Sequence, residues 1–275
     1  MSESQPTPPE KGPRTAETSR IEVTSDYVRG RHCLVLAGSF QQLYVDYYLH
    51  LMQHEIKLDP DHDQLLKDAL AGITLHLASR PQNELTAWTI NLQQPRLNLF
   101  VTGDSQRGNV TGRVFTSGVK ASPHNLFFSQ VTRPHSPIRQ STVEIEGLDV
   151  FRMIEQYYAQ SEQLPARLFR LDDEQMVMVV AQPDVDMTWF EGLDRSRIET
   201  LAADETLSRL ETRRYHFGCG CTLDLIYSVL APVARRSLDD LYQGEDALQV
   251  QCPRCSGVFT ATREAVERYL DEHPE

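Results

Sequence analysis

The spacing of hydrophobic and polar positions changes along the chain, and the first part shows helical spacing after one short strand. The apolar run at residues 32–37 predicts the strand. Ser39 followed by Gln42 predicts a capping box at the start of a helix. Asp59 and Pro60 predict the start of a second helix, with Asp59 as its N-cap. Its predicted buried face consists of Leu66, Ala69, Leu70, Ile73 and Leu77.

From residue 85 the apolar positions alternate with polar ones, which is the period of a strand. Turn signals at Gly103-Asp104 and Arg107-Gly108-Asn109 separate two of the alternating stretches. The pattern predicts an antiparallel sheet of about five or six strands. Its members include the stretches 88–92, 97–101, 110–114, 126–131 and 141–145.

Helical spacing returns after residue 149 and then gives way to a charged region. Asp149 is the predicted N-cap of a helix that ends at Pro165, and the apolar run 176–181 predicts a strand buried on both faces. Residues 183–216 carry many acids and arginines beside a thin apolar stripe, which predicts a marginal helical linker. An ordinary solvated surface helix fits that stretch equally well.

These patterns divide the chain into four parts and predict an α+β fold. Residues 1–20 are proline-rich and polar, so we expect a disordered tail. Residues 21–182 form the predicted core of antiparallel sheet and helices, and 183–216 form the helical linker. Residues 217–275 form a small C-terminal domain with a helix that breaks at Ala231-Pro232, a second helix around Leu238 and a strand at 248–251.

Composition limits the classes of partner that the protein is expected to bind. The chain has 275 residues and a net charge of −12, which disfavours nucleic acid as a partner. It shows no apolar run of membrane-spanning length and no signal peptide, so we expect no membrane partner and a cytoplasmic location. No Ser/His/Asp arrangement, phosphate loop or carboxylate pair stands out, so the chain is not expected to be an enzyme.

Four of the five cysteines form two close pairs near the C-terminus. Cys219 and Cys221 flank Gly220, and Cys252 and Cys255 follow after about thirty residues. Four thiolates brought together are the usual ligand set of a tetrahedral structural zinc site, so one Zn²⁺ per chain is predicted. Buried cysteines acting as small apolar residues are the alternative, which the repeated pairing disfavours. Gly218 and Gly220 are predicted to supply unusual backbone angles for the tight Cys-x-Cys loop.

The remaining metal-ligating side chains form no comparable pattern. Cys33 lies in an apolar run and is predicted to be a core residue. His50, His54, His62 and His76 are scattered over the helical region and are interpreted as ordinary core or surface histidines. The C-terminal domain has too few apolar residues for a self-sufficient core, so metal should supply much of its folding free energy.

The cysteine spacing, together with one further segment, resembles the 33-kDa chaperonin family, the redox-switched holdases of the bacterial cytosol. The second segment runs from Tyr157 to Phe169 and contains Ser161-Glu162-Gln163-Leu164-Pro165. The resemblance implies an ATP-independent chaperone, inactive when reduced and zinc-bound, that binds unfolded or partially folded client proteins as a homodimer. It also implies that oxidation joins Cys219 to Cys221 and Cys252 to Cys255, releases zinc and unfolds the C-terminal region.

Two departures from the family keep other functions open. The stretch before Cys219 is shorter than in the family, and Thr222-Leu223-Asp224-Leu225 replaces a polar, arginine-bearing segment. Zinc binding is therefore better supported than redox switching. A constitutive chaperone or interaction protein with a purely structural zinc site is the main alternative. A thiol oxidoreductase using Cys252-Pro253-Arg254-Cys255 is the third hypothesis.

Overall fold

The computed structural model of the chain describes residues 20–274. Apart from Arg20, the tail predicted for residues 1–20 lies outside this range. Twelve strands are assigned within it: β1 (Ile21–Val28), β2 (Cys33–Ser39), β3 (Leu85–Gln93), β4 (Arg96–Asp104), β5 (Asn109–Phe115), β6 (Asn125–Thr132), β7 (Arg139–Ile145), β8 (Ala166–Arg170), β9 (Gln175–Ala181), β10 (Leu207–Phe217), β11 (Ala247–Gln251) and β12 (Val258–Thr262).

The helices of this part of the chain lie between the strands and after them. Their bounds are α1 (Gln41–Gln53), α2 (Pro60–Ala78), α3 (Val150–Tyr157), α4 (Met187–Glu191), α5 (Arg195–Glu199), α6 (Leu201–Asp204), α7 (Leu223–Ala234), α8 (Leu238–Tyr242) and α9 (Arg263–Glu272). A π-helical turn, Tyr158–Glu162, continues α3. The predicted α+β class is confirmed.

Ten strands form one sheet in the order β7-β6-β3-β4-β5-β10-β1-β2-β9-β8. The first five are the antiparallel block predicted from the alternation after residue 85. β10 joins this block to the other half through a short parallel contact, in which His216 and Phe217 lie opposite Asn109 and Val110. Strand β1, which the hydrophobic pattern did not predict, pairs with both β10 and β2.

Helix α2 is the centre of the main core. All five residues of its predicted face are buried: Leu66, Ala69, Leu70, Ile73 and Leu77. The Asp59 carboxylate accepts a hydrogen bond from the His62 N–H at 3.0 Å, as expected of the predicted N-cap. Asp149 caps α3 in the same way by accepting from the Phe151 N–H at 2.9 Å. Both cap predictions are therefore confirmed.

The predicted capping box at Ser39 is wrong. Ser39 is the last residue of β2, where it pairs with Gln175 of β9. The N-cap of α1 is instead Phe40, which has no side-chain oxygen to accept a hydrogen bond and is fully buried in the core. The Phe40 N–H donates to the Glu174 carbonyl at 2.7 Å, so the main chain next to β9 holds this helix start.

The prediction of a helical linker over 183–216 is correct only in its first half. The helices α4, α5 and α6 are short, and residues 207–217 form β10 instead of a helix. Eight residues of β1 pair with β10 in an antiparallel ladder. Local sequence does not reveal this ladder, because β1 lies nearly two hundred residues before β10. In addition, the charged residues of β10 resemble those of a solvated helix.

A second apolar cluster lies under these short helices. Phe190, Leu193, Ile198 and Leu201 pack against the side chains of β2 and β9. In β9, Met176, Met178 and Val180 face the main core, while Val177, Val179 and Ala181 face this second cluster. The prediction that this strand is buried on both faces is confirmed.

The C-terminal region has its own small core around Ile226, Tyr242, Ala261 and Val266. Helix α7 continues through Pro232 to Ala234, so the predicted break at Ala231-Pro232 is wrong. The proline lies in the last turn of the helix, which the Arg235 N–H closes by donating to the Ala231 carbonyl at 2.9 Å. The helix at Leu238 and the strand before Cys252 are confirmed, whereas β12 and α9 had no prediction.

Candidate metal centre

The four paired cysteines lie in the two connections that bring the C-terminal region back onto the core. Cys219 and Cys221 follow the end of β10 and precede α7, and Cys252 and Cys255 occupy the turn between β11 and β12. Gly220 between the first two thiols has a φ of 70°, a left-handed conformation that favours glycine. The predicted backbone role is therefore confirmed for Gly220 but not for Gly218, whose φ is not left-handed.

All four Sγ atoms lie within 4.8 Å of one another. The Sγ atoms of Cys219 and Cys252 are 3.6 Å apart, and those of Cys221 and Cys255 are 3.4 Å apart. A tetrahedral zinc ion with Zn–S bonds of about 2.3 Å places its sulfurs about 3.8 Å apart. The donor set and its spacing therefore fit the predicted ion. Between residues 20 and 274, no other group of three or more His, Cys, Asp or Glu side chains gathers in this way.

Hydrogen bonds among the thiols make their protonation unequal. Bonds from Cys219 and Cys255 lower the pKa of Cys221 to about 4. The same interactions raise the pKa of Cys219 and that of Cys255. Several adjacent thiolates would repel one another, which opposes the joint ionisation of the thiols. A bound divalent cation removes that repulsion and favours four thiolates.

The turn that carries the second cysteine pair is held by its own main chain. The Cys252 N–H donates to the Gly257 carbonyl at 2.8 Å, and the Ser256 N–H donates to the Cys252 carbonyl at 3.0 Å. The Gly257 N–H lies 3.4 Å from the Cys255 Sγ. The neighbouring thiols Cys219 and Cys221 and burial raise the pKa of Cys255, and the Gly257 N–H opposes them by donating to this sulfur.

Three side chains of the core contact this turn, and sequence reasoning missed all of them as functional residues. His50 Nε2 donates to the Cys255 carbonyl at 2.9 Å, and Arg113 donates to the Cys252 carbonyl at 3.1 Å. His54 Nδ1 lies 3.1 Å from both the main-chain nitrogen and the carbonyl oxygen of Val258. The one signal in the sequence was the i, i+4 spacing of the two histidines, which places His50 in the last turn of α1 and His54 at its C-cap on the same side.

The other singled-out histidines and Cys33 lie apart from the cluster. His62 pairs with Asp59 at 2.6 Å, and the fully buried His76 contacts the Tyr158 hydroxyl at 2.7 Å. Cys33 is fully buried in the second cluster, and burial raises the pKa of its thiol to about 12. Its predicted role as a core residue is confirmed.

The segment Ser161–Pro165 has a structural role. The Ser161 hydroxyl donates to the Ser141 hydroxyl at 2.9 Å. The Glu162 carboxylate accepts from the Tyr157 hydroxyl at 2.6 Å and pairs with Arg80 at 3.2 Å. Gln163 then takes a left-handed φ of 56° at the end of the helical turn. These contacts anchor the end of α3 to β7 and to the segment that follows α2.

A cavity of about 430 Å³ opens between the second cysteine turn and the core. The core side of its wall includes Leu51, Leu66 and Val114, and the turn contributes Cys255, Ser256 and Val258.

Over residues 20–274, the helices are all too short or too polar to cross a membrane.

Comparisons with known proteins found related sequences and a related structure. No family model matches the chain. The 33 kDa chaperonin of Nitrosococcus oceani is 23% identical over 154 residues, which cover 48% of this chain and 53% of the relative. The 33 kDa chaperonin of Edwardsiella ictaluri is 28% identical over 149 residues, covering 45% and 51%. The chain thus spans about half the length of the curated relatives it matches.

The fold match extends much further than the sequence match. The crystal structure of the 33 kDa chaperonin from Thermotoga maritima superimposes with a TM-score of 0.68, covering 92% of this chain and 98% of that one at 14% identity. This likeness shows that the two chains share a fold. The resemblance predicted from the cysteine spacing and from Ser161–Pro165 is therefore confirmed: this chain is similar to 33 kDa chaperonins in sequence over about half its length and in fold over most of it.

Proposed function

We propose that this chain is an ATP-independent chaperone, a holdase that binds unfolding proteins under oxidative stress. The observation that carries the proposal is the cluster of four thiols, which lies where the small C-terminal region meets a core with the fold of a 33 kDa chaperonin. In this proposal the protein is inactive while the four cysteines hold one Zn²⁺, and oxidation of the cysteines activates it.

The C-terminal region depends on the thiols for its stability. Among its described residues, the buried cluster is small and consists of Ile226, Ala234, Tyr242, Ala261 and Val266, with partly buried side chains packed against it. Zinc held by Cys219, Cys221, Cys252 and Cys255 would cross-link this region at four points, and such binding is worth about 10–16 kcal/mol in small peptides. So small a core supplies only about 3–5 kcal/mol by itself, so losing the ligands should unfold the region.

The proposed oxidation turns each cysteine pair into a disulfide. Formation of each S–S bond removes two electrons from two thiols, and a hydroperoxide that accepts them is reduced to water and an alcohol. We propose the pairs Cys219–Cys221 and Cys252–Cys255. Since all four sulfurs lie within 4.8 Å of one another, disulfides between the two pairs, Cys219–Cys252 and Cys221–Cys255, are also within reach. Peptide mapping of the oxidised protein distinguishes the two disulfide patterns.

A constitutive chaperone with a purely structural metal site is the second candidate, and strand β10 favours it. In a switch that depends on melting of a linker, the segment before the cysteines must unfold. Here that segment is β10, which pairs with β1 along its length and with β5 at His216 and Phe217. Opening β10 would break the ladder with β1, so melting of the whole predicted linker is disfavoured.

The other parts of the proposal follow from the relatives and from charge. Unfolded client proteins are the proposed partners, and the proposed location is the cytoplasm. The proposed active form is a homodimer, which light scattering after size-exclusion chromatography tests. The net charge of −12 opposes nucleic-acid binding. A thiol oxidoreductase would place its Cys-x-x-Cys at a helix start, whereas Cys252 and Cys255 lie in a turn between two strands.

The decisive experiment measures bound zinc, free thiols and client protection in the same sample before and after hydroperoxide treatment. We expect one zinc per chain, its release as four thiols disappear, and suppression of aggregation of a heat-unfolded client only afterwards. Cys33→Ala is the matched control, because this buried thiol lies outside the cluster. Protection that is the same in reduced and oxidised protein selects the constitutive candidate, and no protection in either state refutes both.

A further inference from the structure

Strand β5 fixes the position of the first cysteine pair, Cys219 and Cys221. The N–H of Gly218, the residue before Cys219, donates to the Val110 carbonyl at 2.8 Å. The Asn109 side chain donates to the Gly218 carbonyl at 3.0 Å. Both main-chain polar groups of the residue before Cys219 are therefore bonded to β5, so the first pair keeps its place relative to that strand.

The second cysteine pair, Cys252 and Cys255, is held by the same strand and by α1. Arg113 of β5 donates to the Cys252 carbonyl at 3.1 Å. His50, in the last turn of α1, donates through Nε2 to the Cys255 carbonyl at 2.9 Å. The main chain of each cysteine of this pair is thus bonded to its own side chain of the core.

Aromatic rings restrict the movement of both core side chains. The half-buried His50 ring lies 5.4 Å from the Phe217 ring, centroid to centroid. The Arg113 guanidinium lies over the Phe115 ring, 4.0 Å from its centroid. Its positive charge also attracts the thiolates of the second cysteine pair. Side chains whose rotamers are fixed by packing in this way can hold metal ligands at a defined geometry.

We propose that His50 and Arg113 are positioning residues of the metal centre, and that the core thereby sets the zinc affinity of the four cysteines. Asn109 and Arg113 belong to one strand, so β5 keeps the two cysteine pairs at a fixed separation. Across the pairs, the sulfurs lie 3.6 Å and 3.4 Å apart, close to the spacing of four zinc ligands. Groups that orient metal ligands without touching the ion typically raise the metal affinity by about 10- to 100-fold.

This inference rests on the proposed function, since it concerns zinc bound by the four cysteines. It differs from the case of a C-terminal region that binds its metal independently of the core. In that case the thiols and the small buried cluster around Tyr242 would set the zinc affinity, and changes in α1 or β5 would leave it unchanged. Here, loss of a core contact weakens zinc binding although all four cysteines are present.

The first test measures the zinc affinity of the full chain by titration against a competing chelator. Arg113→Met and His50→Leu remove the two donors and keep apolar bulk in their place. Each should lower the zinc affinity about tenfold or more, because the cysteine that lost its contact can move away from the ion. Arg113→Lys and His50→Gln keep a donor and should recover part of the loss. His124→Ala, at an exposed position, is the matched control and should keep the wild-type affinity.

The second test uses Co²⁺ as a probe of the geometry of the site. This ion takes the place of zinc in tetrahedral thiolate sites, and its d–d absorption bands depend on how the four sulfurs are arranged around it. Cobalt-loaded Arg113→Met and His50→Leu should show shifted bands, whereas His124→Ala should match wild type. A residue that only stabilised the fold would leave the bands of the folded protein unchanged, so the spectrum distinguishes positioning from stability.

The third test identifies the cysteine pair that is loosened. Alkylation of the zinc-loaded protein is followed by mass spectrometry of the cysteine peptides. In Arg113→Met the second pair should be alkylated about tenfold faster than in wild type, in line with its weaker binding to zinc, and the first pair should change less. Asn109→Ala removes the bond to Gly218 and should instead accelerate alkylation of the first pair.

Specific results overturn the inference. Wild-type zinc affinity and wild-type cobalt bands in folded Arg113→Met and His50→Leu would show that the core contacts do not position the ligands. Equal acceleration of both pairs in Arg113→Met would assign the effect to general loosening of the C-terminal region. If wild type itself binds no zinc, the proposed metal site has failed and the inference fails with it. Circular dichroism checks that each variant is folded, and either variant alone decides the outcome if the other does not fold.

Discussion

His50 Nε2 lies 2.9 Å from the carbonyl oxygen of Cys255, a residue 205 positions later in the chain. This hydrogen bond joins the first helix of the core directly to the candidate metal centre. Burial lowers the pKa of His50, so the ring is neutral and donates through a single N–H. The metal centre is therefore connected to the core through α1 as well as through the chain that leads out of β10.

The four thiols should act as one unit. Cys221→Ser removes one ligand, and we expect zinc content to fall from one per chain to near zero in the presence of a competing chelator, because three thiolates hold zinc much more weakly than four. Zinc is measured by a colorimetric chelator after size exclusion. Cys33→Ala should keep its zinc, since that thiol is buried elsewhere. Stoichiometric zinc in Cys221→Ser at high chelator would show that this thiol is not a ligand.

Removing the metal should loosen the C-terminal region and leave β10 in place. Amide hydrogen exchange of α7, β11, β12 and α9 should accelerate by orders of magnitude, because their shared core is small. The amides of Arg213 and Tyr215 should stay protected, since these residues pair with Val23 and Ile21 of β1. Exchange is compared by mass spectrometry in chelator and in excess zinc. Loss of protection in β10 would instead support melting of the linker.

Much of the fold was predictable because its signals are local. The strands between residues 85 and 145 alternate regularly and are separated by turn residues, and their neighbours in the sheet are also close in sequence. The helix starts at Asp59 and Asp149 are set by side chains that bond within three residues. The cysteine cluster followed from its spacing, because four thiols in two close pairs have few other uses in a protein of this kind.

The missed strands and the missed contacts between the core and the turn share a physical cause, which is distance along the chain. Strands β1 and β10 depend on each other, and Ile21 pairs with Tyr215. Neither strand alternates clearly enough to be predicted without that partner, since β propensity depends on cross-strand neighbours. The core side chains that contact the second cysteine turn were missed for the same reason. His54 and Val258 are 204 positions apart, and a contact with the main chain leaves no pattern in the sequence of the turn.

The cap at Asp149 should contribute measurably to stability. Its carboxylate accepts from the Phe151 N–H at 2.9 Å and from the Arg152 N–H at 3.3 Å, which would otherwise lack partners at the start of α3. Asp149→Ala should lower the free energy of unfolding by about 1 kcal/mol. Urea denaturation measures the change, with Asp173→Ala at an exposed loop position as the control. Equal stability of the two variants would show that water replaces the cap without loss.

Stability should fall in mild acid because of His76. The side chain is fully buried against Trp88 and Tyr158, and burial lowers its pKa well below the ordinary value of 6.5. In the unfolded chain the ring takes up a proton near pH 6.5, whereas in the fold it stays neutral to much lower pH. The unfolded state therefore binds more protons below pH 6.5, and the contribution of this histidine is complete above that pH and declines as the pH falls.

This pH dependence predicts that His76→Gln and a control variant differ in how steeply their free energy of unfolding falls with pH. One extra proton on the unfolded chain lowers the free energy of unfolding by up to about 1.4 kcal/mol for each pH unit of acidification. His76→Gln cannot take up a proton, so its free energy of unfolding should be lower at neutral pH but should decline less steeply between pH 6.5 and 5. His124→Ala, at an exposed position, should keep the wild-type slope. Urea denaturation at half-unit pH steps gives the slopes, and identical slopes for His76→Gln and wild type would assign the acid sensitivity to other titratable groups.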